Sequence, residues 1–296
     1  MIRFVNAKIN LGLNILRKRQ DGYHELETVF YPIGILNGTP ANPESFGDIL
    51  EIHPCDEKHE DEFTFTGNRI DCPLEKNLVY KAAAAFREKA KEKRCSVGGL
   101  KISLEKHIPD GAGLGGGSAD AAMTMVVLNS LYDNIFSKEE LIVIAAKLGA
   151  DCPFFIENSP VIATGIGEIM QPVELDLSGW WAIVVKPSIY ISTKEAFSGI
   201  KPEQPEQSLS FLISLPPEEW REAGLKNDFE PHIFSIYPQL KELKELLYEN
   251  GAAFSAMTGS GSSIFGIFRR EEVAREAFSR LRAAMGPECR VFLCKL

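Results

Sequence analysis

The chain has 296 residues, 45% hydrophobic and 25% charged, the balance of an ordinary globular protein long enough for one large domain or two smaller ones. Its net charge of −9 repels nucleic acid and anionic lipid at long range, so neither is expected as a partner, and an anionic ligand would need a local positive site. No apolar run reaches membrane length, the first residues carry no signal-peptide core, and the six cysteines form no C-x-x-C pair. These features point to a cytoplasmic protein with free thiols, acting mainly as small buried hydrophobes. His53, Cys55 and His59 match no zinc spacing and read as polar surface.

In chain order, Ile2 to Leu16 alternates like a strand and breaks at Arg17–Gly22, where Asp21-Gly22 signals a hairpin into a second strand, His24 to Pro32. Residues 37–48 are polar, with prolines and glycines, and read as a loop. A short strand, Ile49 to His53, precedes a helix over Asn77–Lys93, where apolar residues recur at helical spacing. Leu100 to Leu104 is a strand. Ser118 to Leu131 is apolar almost throughout, the mark of a buried helix. Ser137 and Glu140 form a capping box for a helix over Glu139–Leu148 that stops at Gly149.

Further on, Trp180 to Val185 reads as a buried strand, and Pro202 to Pro217, with four prolines, reads as a linker. A helix (Gln239–Glu249), two strands (Ala252–Met257 and Ser263–Phe268), a helix (Glu271–Met285) and a strand (Arg290–Cys294) close the chain. With one earlier strand these make a ferredoxin-like α+β unit. The composition hardly shifts, and a domain boundary is drawn near residue 160, giving domains 1–160 and 161–296.

Between the strand at 100–104 and the buried helix runs Pro109-Asp110-Gly111-Ala112-Gly113-Leu114-Gly115-Gly116-Gly117-Ser118, with five glycines in seven residues. Each glycine costs conformational entropy, so such a run makes sense where backbone must approach a ligand closely. A helix N-terminus adds unpaired N–H groups and partial positive charge, so strand–loop–helix here is an anion site, most often for phosphate. Ser118 is the expected N-cap, with a hydroxyl able to face phosphate or Mg²⁺. No lysine follows the glycines, which excludes the Walker A loop. A G-x-G-x-x-G pattern is present as Gly111, Gly113 and Gly116. The dinucleotide reading also requires a downstream strand ending in an acid, and Asp133 has no strand before it.

The segment from Pro109 to Ala119 resembles the P-x-x-x-G-L-G-S-S-A motif of the GHMP kinases. Four other segments agree: Ala7-Lys8-Ile9-Asn10-Leu11 with Asp21-Gly22-Tyr23-His24, Leu148–Phe155, Asn227–Pro231, and Thr258-Gly259-Ser260-Gly261-Ser262-Ser263. They span residues 7 to 263, and the pairing of A-K-I-N-L with D-G-Y-H is far more specific than a glycine loop. The resemblance implies a two-domain α+β fold, with a ribosomal S5-like ATP domain and a ferredoxin-like C-terminal domain. It also implies ATP-dependent phosphorylation of a hydroxyl, the 2-hydroxyl of a methylerythritol carrying a cytidine diphosphate group, within isoprenoid biosynthesis.

The resemblance gives each candidate a role beside its plainer reading. Asp151 either caps a turn before Pro153 or accepts or orients the acceptor hydroxyl's proton. Lys8, on a stripe with Asn6, Asn10 and Asn14, is either the solvent face of an edge strand or an ammonium paired with Asp151 that stabilises the transferred phosphoryl group. Asn10 supports the same pocket. His24 would bond the cytosine edge, with Tyr23 and Phe197 stacking on its two faces, although a phenylalanine opening a helix is commonly core. Asn77 either reads adenine or caps the helix it begins. Gly259 and Ser260 join the acceptor site, and Ala119 the ATP loop. Asp120 stands where some relatives carry Asn, which puts a carboxylate near the phosphates. No acid announces itself as a dedicated metal ligand, so Mg²⁺ is expected to arrive with ATP. Oligomeric state is not legible in the sequence.

Overall fold

The computed structural model describes residues 1–34, 46–56, 60–70 and 72–296. The N-terminal part contains β1 (Ile2–Val5), β2 (Ala7–Lys18), β3 (His24–Ile33), β4 (Asp48–Pro54), β5 (Glu62–Gly67), α1 (Leu78–Glu92), β6 (Leu100–Lys106), α2 (Gly116–Leu131), α3 (Lys138–Ala145), α4 (Cys152–Glu157), β7 (Val161–Thr164) and β8 (Ile169–Pro172). The C-terminal part contains β9 (Trp181–Lys186), α5 (Thr193–Ser198), α6 (Leu209–Ser214), α7 (Glu230–Ile236), α8 (Pro238–Glu249), β10 (Phe254–Met257), β11 (Ile264–Phe268), α9 (Glu271–Ala284) and β12 (Arg290–Lys295).

The strands form three four-stranded sheets, ordered β1-β4-β6-β5, β2-β3-β7-β8 and β10-β11-β9-β12. The last is antiparallel throughout, with helices between β9 and β10 and between β11 and β12. This is the ferredoxin-like arrangement expected from the element order. α2 is apolar on every side because it is wrapped on every side, from Ala119 and Ala121 to Val127 and Leu128.

Several expectations need correction. The opening strand is two strands, since the chain leaves the first sheet at Asn6 and enters the second; Asn6 Nδ2 ties the crossing down on Ala7 O (2.9 Å) and Asn158 Oδ1 (3.0 Å). β7 and β8 pair with β3 and with each other, so the chain is still in an N-terminal sheet past residue 160. The proline-rich stretch at 202–217 is not simply a linker. Ser208 caps α6, whose Leu209, Leu212 and Ile213 are buried at helical spacing beside Trp220. The helix after the glycines is capped by left-handed Gly115, not Ser118. Most of the loop expected at 37–48 lies outside the described residues, and β4 begins at Asp48. Of the cysteines, only Cys152 and Cys294 are buried, where burial pushes their thiols up to about 11 and about 12; Cys72 is exposed and the other three are partly so. His59 lies outside the described residues, and His53 pairs with Glu51 at 2.7 Å.

Candidate active site

β2 is an edge strand of its sheet, yet from Ala7 to Ile15 it is buried. Three distant segments satisfy its backbone. Lys8 N donates to Leu114 O of the glycine loop (3.0 Å), Asn10 N donates to Thr258 Oγ1 (3.1 Å), and Leu13 N donates to Lys226 O (2.8 Å). Asp228 closes the run by accepting from Ile15 N at 2.7 Å and donating its own N–H to Leu13 O at 2.9 Å. The motifs scattered along the sequence are thus stitched to one strand edge. Asn227 fastens the last of them, donating from Nδ2 to Met257 O (2.7 Å) and Gly259 O (2.9 Å). Asn227 and Thr258 carry these contacts without any local sign in the sequence beyond lying in segments that resemble the family's motifs.

The face that β2 turns toward the site differs from the simple alternation. Asn10 pairs with Phe30 and Leu13 with Thr28, so a bulge at Leu11-Gly12 shifts the phase, with Gly12 at φ +79°. Lys8, Asn10 and Leu13 share the site face with Thr28 and Phe30, while Asn14 turns to the other side. The expected polar stripe therefore shortens to Lys8 and Asn10. Thr28 fixes the bulge, donating from Oγ1 to Gly12 O (2.6 Å) and accepting from Asn10 Nδ2 (2.8 Å).

Lys8 is 4% exposed, which removes the solvent-face reading. Its ammonium donates to Asn10 Oδ1 at 2.6 Å, lies 4.7 Å from the centre of the Phe30 ring, and stands 3.6 Å from Asp151 Oδ2. Burial pushes it below its ordinary value of 10.5, and the Asp151 carboxylate opposes that shift. Asp151 occupies the N-cap position of α4 but makes no side-chain cap bond. Its carboxylate, one-third exposed, is left for Lys8 and for whatever enters the hollow beside it.

Three contiguous hollows run past this pair. The middle one is lined by the glycine loop from Pro109 to Ser118, with Tyr190, Thr193 and Ser260 opposite. Two glycines are required there on steric grounds. A Cβ on Gly113 (φ +75°) would lie 2.0 Å from Thr258 O, and one on Gly115 (φ +71°) would lie 2.9 Å from the Phe155 ring. Within the loop, Leu114 is buried and points away from the hollow, and Ala119 is buried in α2. Ser118, third in α2, still lines the hollow.

On one side the middle hollow shares Gly113, Gly115, Thr193 and Ser260 with a second, lined by Lys8, Asn10, Asp151, Phe197 and Gly259. On the other side it shares Leu78, Asp110 and Gly117 with a third that includes Asn77. Asn77 does cap α1, accepting Val79 N at 2.8 Å, and still borders that hollow. His24 stacks on Phe197, ring centres 4.7 Å apart and planes 18° apart, whereas Tyr23 is 61% exposed beside them. Phe197 is thus a wall of the hollow rather than core alone, with Phe229 edge-on behind it at 4.9 Å.

The sequence reading missed one buried cluster. Lys106, at the end of β6, is ion-paired to both Asp48 and Asp120, the latter at 2.7 Å, and all three are nearly inaccessible. Asp48 also accepts His107 N (2.6 Å) and Ile108 N (2.8 Å), which fixes the entry to the glycine loop. Asp120 Oδ1 has no hydrogen-bond partner among the described residues. Asp120, the departure noted above, is therefore offset by Lys106. Burial, then the neighbouring Asp48, holds its carboxyl well above the usual range. Asp48 and Asp120 sit 58 and 14 residues from Lys106, and no local signal marks the trio.

Fold and site together define the class, a kinase acting on a small acceptor. The chain matches the GHMP kinase N-terminal domain over residues 77–158 and the GHMP kinase C-terminal domain over 217–287. It is 47% identical over 270 residues to the 4-diphosphocytidyl-2-C-methyl-D-erythritol kinase of Parabacteroides distasonis, covering 91% of this chain and 92% of that protein. The protein of the same name from Cytophaga hutchinsonii is 42% identical, with 97% and 100% covered. The chain belongs to the GHMP kinases. A crystal structure of 4-(cytidine 5'-diphospho)-2C-methyl-D-erythritol kinase superposes with a TM-score of 0.79 at 32% identity, covering all of both chains. A homoserine kinase from Cytophaga hutchinsonii shares the fold at a TM-score of 0.68 and 18% identity, with 100% of this chain and 95% of that one covered. Among the described residues, no helix is long and apolar enough to cross a membrane.

Proposed function

We propose that this kinase transfers the γ-phosphoryl group of ATP to the 2-hydroxyl of 4-diphosphocytidyl-2-C-methyl-D-erythritol. The observation that carries this reading is the Lys8–Asp151 pair, 3.6 Å apart where the glycine-lined hollow opens into the one bordered by Phe197. The relatives' shared name supports the choice of acceptor. In this reading the triphosphate lies along the loop and the N-terminus of α2, with its base toward Asn77. The acceptor lies on the Lys8 face, with its cytosine toward His24, Tyr23 and Phe197.

Asp151 orients the acceptor hydroxyl and takes its proton as the oxygen attacks the γ-phosphorus in line, while the bond from that phosphorus to the β–γ bridging oxygen breaks and ADP leaves. Lys8, desolvated and held by Asn10, stabilises negative charge on the phosphoryl group in flight. Catalysis is then positioning and electrostatics, with no covalent intermediate. No group of three or more His, Cys, Asp or Glu able to hold a metal occurs among the described residues. In this reading Mg²⁺ arrives with ATP, held chiefly by phosphate oxygens and water.

The test is one coupled assay with ATP across the cytidylyl methylerythritol, homoserine and mevalonate. Turnover of the first alone is expected. Phosphorylation of homoserine without the cytidylyl compound would overturn the proposal.

A further inference from the structure

The bulge at Leu11-Gly12 is not the last in β2. Ile15 pairs with Leu26, Arg17 with Glu25 and Lys18 with His24, so a second extra residue falls at Leu16. One bulge alone would turn Lys18 away from the site face. The second restores the phase, so Lys18 lies on the same face as Lys8 and Asn10 and directly opposite His24, whose ring stacks on the hollow's wall at Phe197. Arg17, one residue earlier, lies on the opposite face.

The hairpin's charges are not equivalent. Arg17 is ion-paired to Glu25 and Arg19 to Asp21, whereas Lys18 has no ion pair among the described residues and is exposed. Its charge nevertheless reaches the site, since it adds to desolvation in lowering the His24 pKa. Meanwhile, among the described residues lining the acceptor hollow, Lys8 is the only cation, and it is held by Asn10 and Asp151. An acceptor carrying a diphosphate brings about two negative charges to a chain whose net charge is −9.

We propose that Lys18 is the second cation of the acceptor site, serving the diphosphate of the substrate from the outer end of the strand face that Lys8 serves from within. The proposal rests on the cytidine diphosphate acceptor argued above. It makes Lys18 a specificity determinant for the anionic portion of that acceptor, with no part in the chemistry.

The experiment is calorimetric titration of the full chain with cytidine and with cytidine diphosphate at low and high salt. The variants are Lys18→Ala, Lys18→Arg and Arg17→Ala, all at exposed positions, with steady-state kinetics alongside. Lys18→Ala is expected to weaken cytidine diphosphate about fivefold at low salt while leaving cytidine unchanged, the scale of an exposed ion pair. Acceptor KM rises by a similar factor, with kcat and the KM for ATP unchanged. Lys18→Arg restores most of the affinity, and Arg17→Ala leaves the ratio of the two ligands as in wild type. Equal losses for cytidine and cytidine diphosphate, no loss, or the same loss from Arg17→Ala would overturn the proposal while leaving the acceptor assignment standing. A wild-type chain that neither binds cytidine diphosphate nor turns over the cytidylyl acceptor would overturn the acceptor assignment itself, and this proposal with it.

Discussion

Two buried lysines flank the glycine loop and are treated in opposite ways. Lys106 is gripped by two carboxylates, which raise its pKa despite burial. Lys8 has a neutral amide at 2.6 Å and one carboxylate at 3.6 Å, and burial wins, so its pKa falls. A lysine that holds a loop in place is saturated with partners. One meant to meet charge arriving with substrate is left short of them. The buried charge at Lys8 is thus a cost in the free protein, one that the phosphoryl group would offset in the proposed reaction.

The sharpest way to break this contrast is to remove the under-paired centre. Lys8→Ala and Asp151→Asn are each expected to lower kcat about 10³-fold or more, the loss of a group acting mainly in the transition state. In Lys8→Ala stability should hardly move, within about 1 kcal/mol by urea midpoint, because Lys8 is desolvated and weakly repaid. In that variant the Thr258 hydroxyl, whose one proton is shared with Gly113 O at 3.0 Å, still stands 3.2 Å from Asn10 Oδ1. Wild-type rates in either variant, or unfolding of both, would place these residues in the scaffold instead.

Lys106→Met turns the comparison round. It leaves Asp48 and Asp120 buried without their cation, and a stability loss of about 3 kcal/mol is expected, read as a lower urea midpoint. Substitution with little loss of stability but a collapse in turnover would make Lys106 a second catalytic cation and end the distinction.

How legible each centre was follows from how it is built. The pair at Lys8 and Asp151 stands in short motifs with a distinctive order of residue types, so a resemblance exposes it although 143 residues separate the two. The helices at 78–92 and 271–284 carried their period in plain sight. The bulges in β2 did not, because the extra residues at 11–12 and 16 break an alternation that the sequence otherwise keeps, and only the partner strand reveals the lost phase. Lys106 lies just past the strand read at 100–104 with nothing beside it in the chain to mark it, and what buries it arrives from β4 and α2. α6 was hidden by its surrounding prolines, whose turns outweighed three well-spaced apolar residues.

A smaller effect separates the loop from its anchor. Gly113→Ala sets a Cβ 2.0 Å from Thr258 O in a left-handed backbone, so the contact between the loop and the turn at Thr258 must open. A loss of about 2 kcal/mol is expected in stability, with the KM for ATP rising in the same variant. An unchanged KM would mean that the loop's backbone does not meet the triphosphate.

The smallest effect concerns the protonation that the Lys106 trio requires. One ammonium cannot neutralise two buried carboxylates. Asp48 has two backbone N–H donors besides Lys106, while Asp120 has Lys106 alone, so Asp120 is the one whose hold on a proton is strengthened. Between the ordinary carboxylate value of 3.8 and the raised value in the folded protein, the folded chain holds a proton that the unfolded chain has released. By linkage, this group's contribution to stability therefore falls as pH rises through that window. Asp120→Asn replaces the acid by a neutral group of the same shape that does not titrate. It should remove that decline from a plot of urea midpoint against pH. If the decline persists in Asp120→Asn but vanishes in Asp48→Asn, the proton sits on the other carboxylate, and the grip on Lys106 is shared differently from the hydrogen-bond count.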